Sequence, residues 1–215
     1  METSVGLPNM LQKVLLTFGI LASLLKVGTD VLAGKMWKGY SFVSQSISEL
    51  SAIGAPTRSL VLPLDLMYDV LMIAFSVGIW QLAGQNLLMR IVAGLIAGNA
   101  VISSFVSLFL PMRIGQDASF SASTIHVVLM AIGVFFFLLA MGLGGAANRN
   151  WFRYYSFGTL LAYLVLAIAR FLIPDQTTAA GLPVLTVGIQ ERTMALGYLL
   201  WVVALAIQHV PKLGG

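Results

Sequence analysis

Six apolar stretches, each about 20 residues long and nearly free of charge, recur along this chain and leave little room for anything else. They run Met10–Ala33, Leu60–Leu82, Leu88–Leu110, Thr124–Leu143, Tyr155–Ile173 and Ile189–Val210. At about 1.5 Å of rise per residue, each is long enough as a helix to cross a hydrocarbon layer of about 30 Å. Inside lipid no water meets the backbone amides, so a crossing segment must satisfy its own hydrogen bonds, and a helix does so. The pattern predicts an all-α integral membrane bundle of six transmembrane helices, forming one domain over residues 1–215. Only 9% of residues are charged, against about 25% in an ordinary soluble domain. With a mean hydropathy of +0.93, the chain lacks the polar surface to cover itself in water.

Helix breakers fall between the stretches. Gly84-Gln85-Asn86 makes a tight link, Pro111 ends the third helix, Gly144-Gly145 with Asn148 closes the fourth, and Pro174-Asp175 stops the fifth before the loop Gln176–Pro183. Small residues in Gly94-Leu-Ile-Ala-Gly98 allow close helix contact. The longest connection, Gly34–Ser59, carries Ile47, Leu50 and Ile53 at helical spacing. A short amphipathic helix lying along the membrane interface is expected there. The stretch Met10–Leu32 is long and lacks a small-residue cleavage site, so it reads as the first membrane helix and not as a cleaved signal. No internal repeat is evident, which weighs against an inverted-repeat transporter.

Several chemistries are excluded at once. With no cysteine, disulfides, iron–sulfur clusters and thiolate zinc sites are ruled out. A zinc site of three histidines is impossible too, because the chain has two, His126 and His209, at opposite ends of the bundle. The net charge of +4 comes from basic flanks of membrane helices and not from a basic run interleaved with aromatics, so no nucleic-acid partner is expected. Lys13, Arg90, Arg149, Arg153 and Lys212 flank one side with Glu2 as its only acid, whereas the other side mixes its cations with seven acids. The first side, which holds both termini, is assigned to the cytoplasm.

The ionisable residues inside the spans are not scattered. Lys26 and Asp30 lie late in the first helix, Asp65 and Asp69 early in the second. His126 opens the fourth, Arg170 is near the end of the fifth, and Glu191 and Arg192 open the sixth. In an alternating topology all of these stand at the extracytoplasmic end. A charge in hydrocarbon costs at least about 2.5 kcal/mol, so such a concentration predicts a polar pocket. Helices one, two, four, five and six are expected to line it. Lys26 and Asp30 are four apart and able to pair; Asp65 and Asp69 share a face and need cations, a shared proton or metal between them.

Each of these residues also has a plainer role. Lys26, Arg170 and Arg192 can snorkel to the interface, and Asp30 can serve only as the partner of Lys26. Asp65 and Asp69 can face interfacial water, and His126 can be an interfacial histidine at a helix start. Ser46-x-x-Glu49 fits a capping box, in which the Glu49 carboxylate does no more than satisfy backbone donors. Asn99 and Ser103, four apart, read as a helix–helix hydrogen-bonding pair.

The segment Ser44-Gln-Ser-Ile-Ser-Glu-Leu-Ser-Ala-Ile-Gly-Ala-Pro-Thr57 resembles a loop of a prokaryotic multi-pass membrane family known as domain of unknown function nine-nine-eight. Leu110-Pro111, His126 and Gly188-Ile-Gln-Glu-Arg192 fit the same family in order. The resemblance implies a multi-pass architecture in a prokaryotic cell membrane. It flags Ser48, Glu49, His126, Glu191 and Arg192, and it implies no activity.

Three functions compete. In the first, the pocket takes a lipid-like amphiphile, its cations meeting a phosphate or carboxylate head; Asp65, Asp69 and His126 would be the catalytic groups, and Lys26, Asp30, Glu49, Arg170, Glu191 and Arg192 would bind the ligand. In the second, the carboxylates couple protons to small-molecule transport. In the third, the polar cluster belongs to a non-catalytic partner or assembly protein. Membrane lipids are expected neighbours, and six helices also suit a homo-oligomer. No cofactor is named by the sequence.

Overall fold

A computed structural model describes residues 7–114, 120–121, 123–172 and 187–209. Six helices dominate it: α1 (Leu7–Met36), α2 (Arg58–Ala83), α3 (Leu87–Phe109), α4 (Thr124–Ala147), α5 (Trp151–Leu172) and α6 (Val187–His209). Each packs on its neighbour in sequence, and α6 returns to α1, so the helices form a ring. Large apolar side chains such as Leu21, Val70, Val101, Phe135, Leu161 and Leu200 point outward, one from each helix. An outer surface of this kind is stable against acyl chains and not against water. Five of the helices are long and apolar enough to cross a membrane: Met10–Met36, Arg58–Ala83, Leu87–Phe109, Thr124–Ala147 and Trp151–Ile168. The remaining helix, α6, is 23 residues long, but Gln190, Glu191 and Arg192 at its start and Gln208 and His209 at its end shorten its apolar run.

The helix ends follow local chemistry. Gly84 ends α2 at φ 52°, and the Asn86 side chain caps α3 by accepting from the Met89 N–H at 3.3 Å. Ser123 does the same for α4, accepting from the His126 N–H at 3.1 Å. Of the expected stop at Gly144-Gly145 with Asn148, Asn148 is the C-cap, but the glycines lie inside the helix, because α4 continues to Ala147. Those glycines are packing gaps. A Cβ on Gly144 would stand 2.8 Å from the Trp201 ring, and one on Gly145 would stand 3.0 Å from Ser156. Close approach of α5 and α6 is what requires them.

The dry core fills one half of the bundle. Leu16, Phe75, Ile79, Met141, Phe152 and Trp201 are all fully buried there, and the Trp201 indole donates to Ser156 Oγ at 2.9 Å. Beyond them, at the end where α4 meets α5, Gln208 donates to Asn148 (2.9 Å) and accepts from Asn150 (3.0 Å). This end is held by neutral amides.

The α1–α2 connection folds over the other end. Its expected amphipathic helix is a single 3₁₀ turn, Ser48–Ser51, with Leu50 fully buried. Ile53 bridges to the α3–α4 connection, where β1 (Arg113–Ile114) pairs antiparallel with β2 (Phe120–Ser121). The Ile53 N–H donates to Met112 O at 2.8 Å, and the Ile114 N–H donates to Ile53 O at 3.0 Å. Two connections thus close the same end of the ring.

Candidate functional site

At that end, two ion pairs join helices that are distant in sequence. Lys26 of α1 donates to Asp65 of α2 at 2.7 Å, and its ammonium also stands 5.6 Å from the centroid of the Tyr68 ring. Arg192 of α6 holds Asp30 of α1 with two parallel bonds, Nε to Oδ2 at 3.0 Å and Nη2 to Oδ1 at 2.9 Å. The expected pair Lys26–Asp30 is therefore replaced by two pairs between helices. Four-residue spacing places the two side chains on one face of α1, but facing helices offer each a closer partner.

Arg192 does more than pair. Its Nη1 donates to the carbonyls of Phe42 and Gln45, each at 2.8 Å, and its Nη2 donates to the Tyr40 hydroxyl. The guanidinium lies 5.0 Å from the Phe42 ring centroid and 5.5 Å from that of Tyr40. Burial pushes the Tyr40 phenol up to about 12, against the opposing pull of the Arg192 hydrogen bond. Glu191 continues the fastening, accepting from the Ile47 N–H at 2.9 Å and from Ser48 Oγ at 3.0 Å. The start of α6 is thereby tied to the loop that precedes the 3₁₀ turn.

Glu49 has the geometry of a cap. Its carboxylate accepts from the Ser46 N–H at 3.1 Å while its own N–H donates to Ser46 Oγ at 3.3 Å, and Gln45 Nε2 donates to its second oxygen at 2.9 Å. His126 Nδ1 lies 2.6 Å from Leu110 O. A carbonyl only accepts, so Nδ1 carries a proton in this bond. Asp69 is 1% exposed. Its Oδ2 accepts from Ser104 Oγ at 2.8 Å, and its Oδ1 has no hydrogen-bond partner among the described residues. The Arg170 side chain and the loop Gln176–Pro183 lie outside the described residues.

A cavity of about 270 Å³ opens among these elements. Lys26, Ser48, Ser51, Asp65, His126 and Glu191 give it a polar end. Ile102, Val106, Met130, Val134, Phe137 and Met194 give it apolar walls, and Tyr68, Asn99 and Tyr198 lie along it as well. Of the residues singled out in the sequence, Lys26, Ser48, Asp65, Asn99, Ser103, His126 and Glu191 line this space. Asp30, Glu49, Asp69 and Arg192 stand behind it in the surrounding network. Helix α3, absent from the expected lining, supplies Asn99, Ser103 and Ser107, and no described residue of α5 takes part. The signal for α3 was present: Asn99, Ser103 and Ser107 repeat every four residues, a polar stripe on an otherwise apolar helix. Ser104, the partner of Asp69, carried no such mark.

Apolar helices with a lipid-suited exterior, and charges paired and partly buried at one end, define a multi-pass helical integral membrane protein. The chain belongs to the family described as Protein of unknown function (DUF998), whose model matches residues 20–208. No curated protein and no solved structure matches the chain.

Proposed function

We propose that this protein binds a lipid-like amphiphile in the cavity, from the extracytoplasmic leaflet. In this reading α6 is the sixth membrane span, both termini are cytoplasmic, and the cavity end of the bundle faces outward. The observation that carries the reading is the cavity's division into a polar end, with Lys26, Asp65, Glu191 and His126, and apolar walls from α3, α4 and α6. That division matches a head and a tail. At about 270 Å³ the space is below the roughly 300–1,000 Å³ of pockets that enclose drug-sized ligands. It holds a head group and the start of a chain, and the rest of an acyl chain must continue into lipid. If the bound molecule is processed, His126 is the group for proton transfer, since it lines the cavity and the Leu110 carbonyl holds its Nδ1, which leaves Nε2 to exchange a proton. Asp65 is engaged by Lys26 and Asp69 stands outside the lining, so neither is as free to serve.

Native mass spectrometry of gently purified protein tests this, with wild type beside Ala195→Phe, which fills the cavity from α6. A retained lipid-sized mass in wild type, lost in a variant that still elutes as one species, supports the reading. Wild-type protein that carries no such mass in any mild detergent overturns it.

A further inference from the structure

We infer that the head group bound in this cavity is an organic ammonium ion. The inference rests on the proposal that the cavity holds an amphiphile, and it comes from the balance of charge around that space. Among the described residues the wall carries one permanent cation, Lys26, beside His126, against two carboxylates, Asp65 and Glu191. The charge of Lys26 is already matched by Asp65 at 2.7 Å. Among the described residues the other nearby cations are engaged elsewhere: Arg192 with Asp30 and the carbonyls of Phe42 and Gln45, and Arg58 with the carbonyls of Ser51 and Ser107. The hydrogen bonds to Glu191 come from two neutral donors, the Ile47 N–H and the Ser48 hydroxyl, and Lys26 and Arg192 act on it only at longer range. Asp69, one turn from Asp65 on α2 and outside the lining, has one neutral donor and a buried oxygen with no partner among the described residues.

An anionic head would add a further negative charge to a poorly solvated space where carboxylates already outnumber cations. A cationic head would supply the missing charge. The wall fits such a head in a second way. Tyr68, Phe137 and Tyr198 all line the cavity, and aromatic faces attract ammonium groups through the ring quadrupole. The Lys26 ammonium, 5.6 Å from the Tyr68 centroid, already uses one of them. A bare metal ion fits less well, because no group of three or more His, Cys, Asp or Glu able to hold one occurs among the described residues, and most of the wall is apolar.

The experiment compares thermal stabilisation of the purified protein by three probes of equal chain length: hexyltrimethylammonium, hexyl phosphate and hexanol. The ammonium probe should stabilise wild type saturably, with an apparent affinity at least about tenfold above that of the phosphate. Glu191→Gln should lose most of that preference. Its amide oxygen still accepts from Ile47 while its NH2 donates to Ser48 Oγ, so the fold is kept. Phe137→Leu, a second and independent variant, should weaken the ammonium probe more than hexanol, because both lose a wall contact but only the ammonium loses the attraction of the ring face. Stabilisation by hexyl phosphate above the ammonium, or equal stabilisation by all three, overturns the head-group assignment and leaves the amphiphile reading standing. No stabilisation by any probe also overturns it. A lipid mass retained in native spectra would then keep the amphiphile reading alive, and its absence would remove both.

Discussion

Arg192 and Asp30, 162 residues apart in the chain, meet as a planar fork on a carboxylate, with both bonds at or below 3.0 Å and both side chains less than 15% exposed. The same guanidinium holds the carbonyls of Phe42 and Gln45, so one side chain fixes α1, α6 and the loop between α1 and α2. A lysine has a single charged nitrogen and cannot supply a fork and reach two carbonyls at once. Arg192→Lys is expected to lower the melting temperature clearly, and Arg192→Met to cost about 3–5 kcal/mol, because it leaves Asp30 buried without its partner. Thermal unfolding in a single detergent checks this. A melting temperature unchanged in both variants would mean that the fork is not formed in the protein in solution.

Glu49 allows a sharper separation between a cap and a ligand. Its reciprocal bonds with Ser46 satisfy backbone donors, and a glutamine at this position keeps the bond from the Ser46 N–H but loses the one from Gln45 Nε2. Glu49→Ala should therefore cost about 0.5–2 kcal/mol, while Glu49→Gln should cost less than Glu49→Ala and retain the ligand as wild type does. Wild-type melting of Glu49→Gln together with loss of the retained mass would show that the charge, and not the cap, is what the protein uses.

Tyr40 gives the cavity end an alkaline limit. Burial raises the phenol from 10.0 to about 12, so the fold holds the neutral form more firmly than the unfolded chain does. The contribution is complete below the unfolded value of 10.0 and is lost as pH rises through about 12. Between those values wild type should lose stability more steeply than Tyr40→Phe, which has no proton to give up there. Parallel slopes for the two proteins would place Tyr40 in contact with water.

The start of α6 is tight enough to be tested by one methyl group. A Cβ on Gly188 would stand 2.7 Å from the carbonyl oxygens of Phe42 and Val43, and closer still to that of Gln45. These are backbone atoms, which cannot turn aside. Gly188→Ala should destabilise by about 1–3 kcal/mol and increase proteolysis or hydrogen exchange in residues 40–48. A variant as stable and as protected as wild type would show that the loop stands off from α6.

The helices were legible because hydropathy is written into the residues themselves: α3 was expected at Leu88–Leu110 and is Leu87–Phe109. Errors came where one residue type serves two purposes. Gly144 looks like a stop, yet its lack of a side chain admits Trp201. Asp30 looks like the partner of Lys26, since spacing along a helix reveals a shared face but not what lies opposite. The clustering of charge at one end was readable from topology alone. The partners were not, because Asp65, Asp69 and Arg192 bond to residues from other elements whose approach depends on how the helices pack. Glu49 was the exception, its capping partner being only three residues away.

Asp69 carries the last test. Its carboxylate is almost fully buried in α2, with a single bond from Ser104 and one oxygen that no described residue meets. An ionised group in that position is costly, about 2.5–3.5 kcal/mol at the centre of a membrane helix. Asparagine keeps an oxygen for Ser104 and removes the charge, leaving at worst an unpaired amide hydrogen, which costs about 1–3 kcal/mol. Asp69→Asn should therefore match or exceed wild type in melting temperature when no ligand is added. If the head group is cationic, the same change should weaken binding of hexyltrimethylammonium, so that stability and binding move in opposite directions. A melting temperature that falls with Asp69→Asn would mean that purified wild type already holds a cation against this carboxylate, and elemental analysis beside native mass spectrometry would distinguish an inorganic ion from an organic one.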